Sequence, residues 1–216
     1  LAALLRPAAR ALTLALAQTE EDARRLRDAG VGQVLVAGNL KYELQPDPAE
    51  LAVGSQWLAQ WAAAGRVVVV AANTREGEEA LLLAAWHAWA FALPDALRAR
   101  VLLALVPRHP QRFDEVAALV QTQGLTLWRR SQWQGGELPA QALQAQVVLG
   151  DSLGEMARYY GMAQVALLGG SFAPLGGHNL IESLACGCPM VLGPSTFNFA
   201  EAATLALAAG AAWQVA

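Results

Sequence analysis

Four consecutive valines, Val67 to Val70, run on into Ala71 and Ala72. A short segment apolar at every position fits a strand covered on both of its faces. Similar apolar runs recur at Val101 to Val106, Val147 to Leu149, Val165 to Leu168 and Met190 to Leu192, and Val31 to Ala37 and Leu125 to Trp128 read as two further strands. Helical segments separate them: Glu76 to Ala92, with acidic residues in the first turn where the helix dipole favours them, then Asp114 to Gln123, Gly154 to Tyr160 and Phe199 to Ala209. This alternation predicts an α/β fold, a doubly wound, Rossmann-like parallel sheet with helices on both faces. Such sheets bind ligands beyond the carboxyl ends of their strands.

The composition removes several function classes. With 216 residues and 55% apolar side chains, the chain can bury one sizeable core, the amount expected of one domain. A net charge of -3 offers no nucleic-acid footprint, which needs clustered Lys and Arg. The longest apolar run, Leu81 to Leu93, is interrupted by His87 and falls short of the roughly 20 residues of a membrane span. The first residues, LAALLRPAAR, have neither an initiator Met nor a small-residue cleavage site, so a cut inside a longer protein is expected rather than a signal peptide. Cys186 and Cys188 lie too close in sequence for a mutual disulfide, and no second Cys or His cluster completes a metal site; two buried thiols in a reducing compartment are expected.

Four strand ends carry polar, Gly- or Pro-marked segments. They are Asn73 to Glu79, Pro107 to Pro110, Gly150 to Glu155, and the stretch GGSFAPLGGHNLIESLA from Gly169 to Ala185. Four such segments at one sheet edge point to a shared site. In the last, two glycine pairs lead into a helix expected to begin near His178. Gly lets backbone approach a ligand, and a helix start offers free N–H groups to an anion. His178, Asn179 and Glu182 would then share one helical face; a tight turn with a capped helix is the simpler alternative. Arg108, stiffened by neighbouring prolines, can hold a phosphate or carboxylate in a bidentate contact or pair with Asp114 or Glu115. Glu155 is either a capping carboxylate or an acceptor for a ligand hydroxyl or amine. His109 suits a structural hydrogen bond as well as a ligand contact. His87 and the seven tryptophans are assigned to packing.

These segments resemble the 3-deoxy-D-manno-octulosonic acid (Kdo) transferases of lipopolysaccharide assembly. The residues that carry the resemblance are AQTEEDARRL at 17–26, GNLKYEL at 38–44, AANTREGEE at 71–79, VPRHPQRF at 106–113, LGDSLGEMARYYG at 149–161, GGSFAPLGGHNLIESLA at 169–185 and LGPSTFNF at 192–199. They follow the family's order and cover nearly the whole chain.

The resemblance implies the C-terminal, donor-binding half of a two-domain GT-B glycosyltransferase that moves Kdo from CMP-Kdo to a lipid A precursor, lipid IVA, at the cytoplasmic face of the bacterial inner membrane. Residues 1–30 would be linker or the end of the N-terminal half, and 31–216 the CMP-Kdo binding domain, short of the family's final helix. Carried over residue by residue, the nucleotide contacts are Pro107, Arg108, Leu153, Gly154, Glu155, Asn179, Leu180, Ile181 and Glu182; Thr74, Gly177 and His178 are further candidate donor contacts. The resemblance implies no metal and no cofactor besides the donor substrate. It places the general base, the membrane association and the acceptor contacts in the N-terminal half, so that residues 1–216 alone would be soluble and inactive.

Two departures bear on the site. The family pattern Ser-Thr-His-x-Gly-Glu stands here as Asn73-Thr74-Arg75-Glu76-Gly77-Glu78, with Arg75 able to supply charge in place of the His, and Leu180 stands where Pro is frequent. The implied chemistry is a direct displacement with inversion. A carboxylate base takes the proton of the acceptor hydroxyl while cationic and N–H donors stabilise the leaving phosphate. A non-catalytic nucleotide-sugar binding module is the alternative. A dinucleotide oxidoreductase is disfavoured, because no G-x-G-x-x-G follows the first strand.

Overall fold

The computed structural model describes residues 2–216, with side chains from Arg6 onward. The chain divides into two compact units, residues 1–44 and 45–216.

The first unit holds α1 (Ala2–Ala11), β1 (Ala15–Ala17), α2 (Glu20–Ala29) and β2 (Val34–Val36). β1 and β2 pair in parallel as a two-stranded sheet. The strand expected at Val31 to Ala37 is therefore present, but it pairs within this unit and does not join the main sheet. Thr19 starts α2 by accepting from the Asp22 amide at 3.1 Å, and Gly30 ends it in the left-handed region.

The second unit contains α3 (Pro48–Ala63), β3 (Val67–Thr74), α4 (Glu78–Ala92), α5 (Asp95–Arg98), β4 (Val101–Pro107), α6 (Phe113–Thr122), β5 (Leu127–Arg129), α7 (Ala140–Gln144), β6 (Val147–Leu149), α8 (Met156–Gly161), β7 (Val165–Leu168), α9 (Ile181–Ala185), β8 (Met190–Leu192), α10 (Ala200–Ala208) and β9 (Ala212–Gln214). Its seven strands form one sheet in the order β5-β6-β4-β3-β7-β8-β9, and every pairing is parallel.

The central strands alternate between two cores, as period-two geometry requires. Val68, Val70, Ala72, Leu102 and Ala104 join Trp57 and Trp61 of α3, Tyr159 and Tyr160 of α8 and Ala203 of α10 on one face. Ala71, Leu103 and Leu105 join Leu82 and Leu83 of α4 and Val116 and Val120 of α6 on the other. Burying each large aliphatic side chain contributes about 1.5–3 kcal/mol, so the two apolar layers secure the strands whose ends carry polar loops. Among the described residues, no helix is long and apolar enough to cross a membrane.

Candidate functional site

The chain leaves β3 for β4 on one side and leaves β7 for β8 on the other, so the sheet's switch point lies between β3 and β7. A crevice forms beyond the carboxyl ends of strands at such a point. Asn73 to Arg75 end β3 and Gly169 to Ser171 follow β7. Pro107 and Arg108 lie at the end of neighbouring β4, and the Gly150 to Glu155 loop follows β6, one strand further out.

Backbone geometry shapes the crevice first. Among the described residues, Asn73 is the one non-glycine with positive φ, at 57°, and it sits where the β3–β4 register shifts between Ala72 and Thr74. Such a bulge turns the end of a strand out of its ladder. The turned strand end is then tied to its neighbours: the Arg108 amide donates to Thr74 O at 3.0 Å, and the Gly169 amide to Ala72 O at 2.8 Å. A Cβ on Gly169 would lie 2.5 Å from Ala72 O and closer still to Asn73 O, so only glycine permits this approach.

The double-glycine loop closes on itself. Gly177 N donates to Gly170 O at 2.8 Å, His178 N to Gly169 O at 3.1 Å, and Gly176 N to the Ser195 hydroxyl at 2.9 Å. Gly170 N and Phe172 N donate to the buried carboxylate of Glu78 at 2.7 and 3.0 Å. The amides of this glycine loop are thus engaged by the protein itself. The free donors lie elsewhere: the amides of Leu153, Gly154, Asn179, Leu180 and Glu182 meet no protein acceptor among the described residues.

The helix expected near His178 is α9, and it begins at Ile181. Gly176 and Gly177 both have positive φ, and the His178 amide is bonded back to Gly169, so the chain stays in a loop until Leu180. His178 and Asn179 therefore precede the helix, and the shared helical face expected for them is absent; of the three polar residues only Glu182 is helical. Asn179 Oδ1 accepts from the Ile181 amide at 3.2 Å. The side chains of Leu180 and Ile181 are buried in the core, so they are not available to a ligand.

Three side chains share one electrostatic neighbourhood. Arg108 is exposed, and the acids that could have neutralised it are taken: Asp114 pairs with Arg129 and Glu115 with Arg112, each at 2.7 Å. Burial, aided by the positive charges of Arg108 and Arg75 and by His109, pushes the His178 imidazole down to about 4. Its Nε2 is buried without a partner, and the ring packs against Gly170. Glu182 is half-buried; burial raises its pKa and the Arg108 charge draws it back. Among the ion pairs of the described residues, none joins His178 to Glu182, and His178 Nε2 has no hydrogen-bond partner. An unpaired cation, a neutral imidazole and a half-desolvated carboxylate thus lie together at the switch point.

Glu155 belongs to the scaffold. Its carboxylate accepts from Arg130 at 2.7 Å and also from Arg158 and Ser152. Arg158 continues to Glu50 of α3 at 2.9 Å, and Arg130 lies over the rings of Trp57 and Trp133. Buried Asp151 is likewise held, by Arg129 and by the Ser131 amide and hydroxyl. With every oxygen engaged, the side chain of Glu155 fixes a loop whose exposed tip presents Leu153 and Gly154. The acceptor role open to it in the sequence is thus filled by the protein's own arginines.

The remaining candidates sort by burial. Pro107 and Thr74 are buried, and Thr74 Oγ1 has no partner. His109 precedes a single 3-10 turn at Pro110–Arg112, and His87 stacks on Phe91 with ring centroids 4.2 Å apart. Cys188 is buried and Cys186 half-buried; both are free, and burial raises both thiols to about 11. Glu78 matches the Glu of the family pattern at 73–78, but its contacts with Gly170 and Phe172 were not legible in the sequence, because these partners lie 92 and 94 positions away.

A family model described as 3-Deoxy-D-manno-octulosonic-acid transferase (kdotransferase) matches residues 1–44. The chain is 49% identical, over 96% of its length, to a 3-deoxy-D-manno-octulosonic acid transferase of Bordetella pertussis, of which it covers 46%. It is 38% identical, over 77% of its length, to the enzyme of that name from Haemophilus influenzae, covering 36% of it. The chain thus spans half or less of these relatives. Among solved structures it resembles the C-terminal CMP-Kdo binding domain of WaaA from Acinetobacter baumannii, with 34% identity, a TM-score of 0.67, and coverage of 78% of this chain and 83% of that one.

Proposed function

Since this chain belongs to the Kdo transferase family, we propose that it is the donor-binding half of an enzyme that transfers Kdo from CMP-Kdo to lipid IVA with inversion. The observation that carries the proposal is Arg108, without an ion pair among the described residues, together with free main-chain donors at 153, 154, 179, 180 and 182, at the switch point of a domain resembling one that binds CMP-Kdo. A nucleotide diester and a sugar carboxylate need such cationic and N–H partners.

In this assignment the sheet unit holds the donor. Pro107, Arg108, Leu153, Gly154, Asn179, Leu180, Ile181 and Glu182 surround CMP, with Thr74, Gly177 and His178 further along the same crevice. Glu155 contributes by fixing its loop. Arg108 faces the phosphate and stabilises it as it leaves, whereas Glu182, which would repel a phosphate, accepts from the ribose hydroxyls. The general base, the acceptor contacts and the membrane association at the cytoplasmic face belong to the N-terminal half of the enzyme, to which residues 1–44 contribute. No cofactor enters the scheme.

Calorimetric titration of the purified chain with CMP, cytidine and NAD tests the donor site. CMP should bind and NAD should not; binding of NAD without CMP would overturn the assignment. The chain alone should transfer no Kdo from CMP-Kdo, and turnover by residues 1–216 would refute the placement of the base outside them. Transfer restored on mixing with the N-terminal half separates the enzyme from a non-catalytic binding module.

A further inference from the structure

Glu78 is the first residue of α4 and is only 1% exposed, yet no cationic side chain among the described residues pairs with it. Its carboxylate instead accepts three backbone N–H groups. Oε2 takes those of Arg75 at 2.9 Å and Gly170 at 2.7 Å, and Oε1 takes that of Phe172 at 3.0 Å. The next residue, Glu79, is equally buried and meets its charge in the ordinary way, through Arg112 at 2.8 Å. A buried carboxylate is costly unless its lone pairs are filled, and three amide donors fill most of them.

The three donors define what Glu78 does. Arg75 belongs to the loop that leaves β3, and Gly170 and Phe172 to the loop that leaves β7. These are the two strands on either side of the switch point. Gly170 has φ 73°, and a Cβ there would lie 3.1 Å from Cδ2 of His178, so the loop conformation and the ring are in direct contact. The order of contact is therefore Glu78, Gly170, His178, with the Arg75 amide held by the same oxygen, Oε2, that takes Gly170.

We propose that Glu78 is a positioning residue of the donor site: it clamps the β3 and β7 loops together and thereby sets where His178 and Arg75 stand, without touching the donor. This proposal rests on the donor-site assignment above. Within the proposal, the loop amides hold the protein's own carboxylate, and the donor is left to the side chains and free amides that this clamp aligns.

Glu78→Gln tests it, because one acceptor oxygen becomes an NH2 group facing backbone N–H donors while size is kept. Two quantities are measured on the 216-residue chain: CMP affinity by calorimetry, and the pH titration of the His178 imidazole by NMR, assigned by its loss in His178→Gln. Circular dichroism verifies the fold. CMP affinity should fall about tenfold, in the range of one hydrogen bond to a charged group. The His178 midpoint should rise from about 4 toward the ordinary value as the ring leaves its buried place. A role limited to stability would lower the unfolding midpoint and leave both quantities unchanged in the folded variant, and that result would overturn the proposal. If Glu78→Gln does not fold, Glu78→Asp keeps the charge, withdraws it by one methylene and should shift both quantities in the same directions. Loss of the fold in both variants would assign Glu78 to core stability and equally overturn its positioning role. If the wild-type chain fails to bind CMP, the donor-site assignment falls, while the His178 titration still decides whether Glu78 sets that ring.

Discussion

Arg112 donates to the carboxylate of Glu79 at 2.8 Å and, with a second nitrogen, to Glu115 at 2.7 Å. The two acids are unequal: Glu79 is fully buried in the first turn of α4, whereas Glu115 is mostly exposed. Arg112 thereby joins the end of the β4 loop to the base of the helix that carries the Glu78 clamp. Removing one partner of a buried pair leaves the other charge desolvated, and Arg112→Met should cost about 3 kcal/mol of unfolding free energy in urea. The exposed partner contributes little, so Glu115→Gln should cost far less than Arg112→Met. Equal losses in the two variants would show that Glu79 has found another solution to its burial.

Gly169 is a steric requirement. The β7 main chain passes so near the β3 bulge that a methyl group at Gly169 would overlap the carbonyls of Ala72 and Asn73. Neither backbone can withdraw without breaking the Gly169 N to Ala72 O bond at 2.8 Å. Gly169→Ala should therefore destabilise the sheet unit by about 3 kcal/mol, at the upper end of what overpacking costs. At Gly154 the same atom would meet nothing within 4 Å, so Gly154→Ala carries only the strain of its φ of 76°, about 1–2 kcal/mol. A thermal scan in which Gly154→Ala proves the worse of the two would reverse this ranking.

Six of the seven strands of the main sheet were legible as apolar runs ended by Gly, Pro or a polar residue; Val147–Leu149, Val165–Leu168 and Met190–Leu192 appear with the expected bounds. α3 escaped although its signals are local. Asp47 accepts from the Ala49 amide, Pro48 occupies the first turn, and Gly54, Trp57 and Trp61 form its buried stripe, but its Ala-rich exposed face blurs the period. β9 is three residues long with one buried, too short for any pattern. In the site, Arg108 and Glu182 could be chosen from the sequence because they stand at a strand end and a helix start. The engagement of Glu155 by Arg130 and Arg158, and of the loop amides by Glu78, depends on contacts between distant segments. The helix start at Ile181 depends on two left-handed glycines, whose conformation the sequence permits but does not dictate.

If Arg108 reads the donor phosphate, Arg108→Ala should weaken CMP binding by about 1.5–3 kcal/mol, the range for a charge-assisted hydrogen bond. Because Arg108 forms no ion pair among the described residues, the substitution should leave the unfolding free energy within about 0.5 kcal/mol of wild type. Cytidine, which lacks the phosphate, should bind both proteins alike. An equal loss for cytidine and CMP would make Arg108 a shaper of its loop rather than a phosphate contact.

Glu182 shares the field of Arg108 but not its partner. Its half-buried carboxylate should accept from the ribose, so Glu182→Gln should lose about 1–2 kcal/mol of CMP affinity. With 2′,3′-dideoxy-CMP the hydroxyls are gone from both measurements, and the difference between wild type and variant should shrink. Unchanged CMP affinity in Glu182→Gln would remove the residue from the donor site.

His178 provides a test that depends on pH. Its folded midpoint of about 4 lies below the ordinary 6.5, so between those values the unfolded chain binds a proton that the folded one refuses. The stability held at neutral pH is complete above pH 6.5 and is lost progressively as pH falls toward 4, below which His178 adds no further change. Solvent screening of a half-buried ring reduces the effect, and about 1 kcal/mol should separate pH 7 from pH 4 on this account. Other carboxylates and histidines titrate in the same window, so the informative quantity is the difference between wild type and His178→Gln, which lacks the group. That difference should grow as the pH is lowered from 6.5 to 4 in urea unfolding, with the variant losing less. Parallel curves for the two proteins, or an imidazole titrating near 6.5 by NMR, would mean that His178 is hydrated and that the crevice at the switch point is open to water.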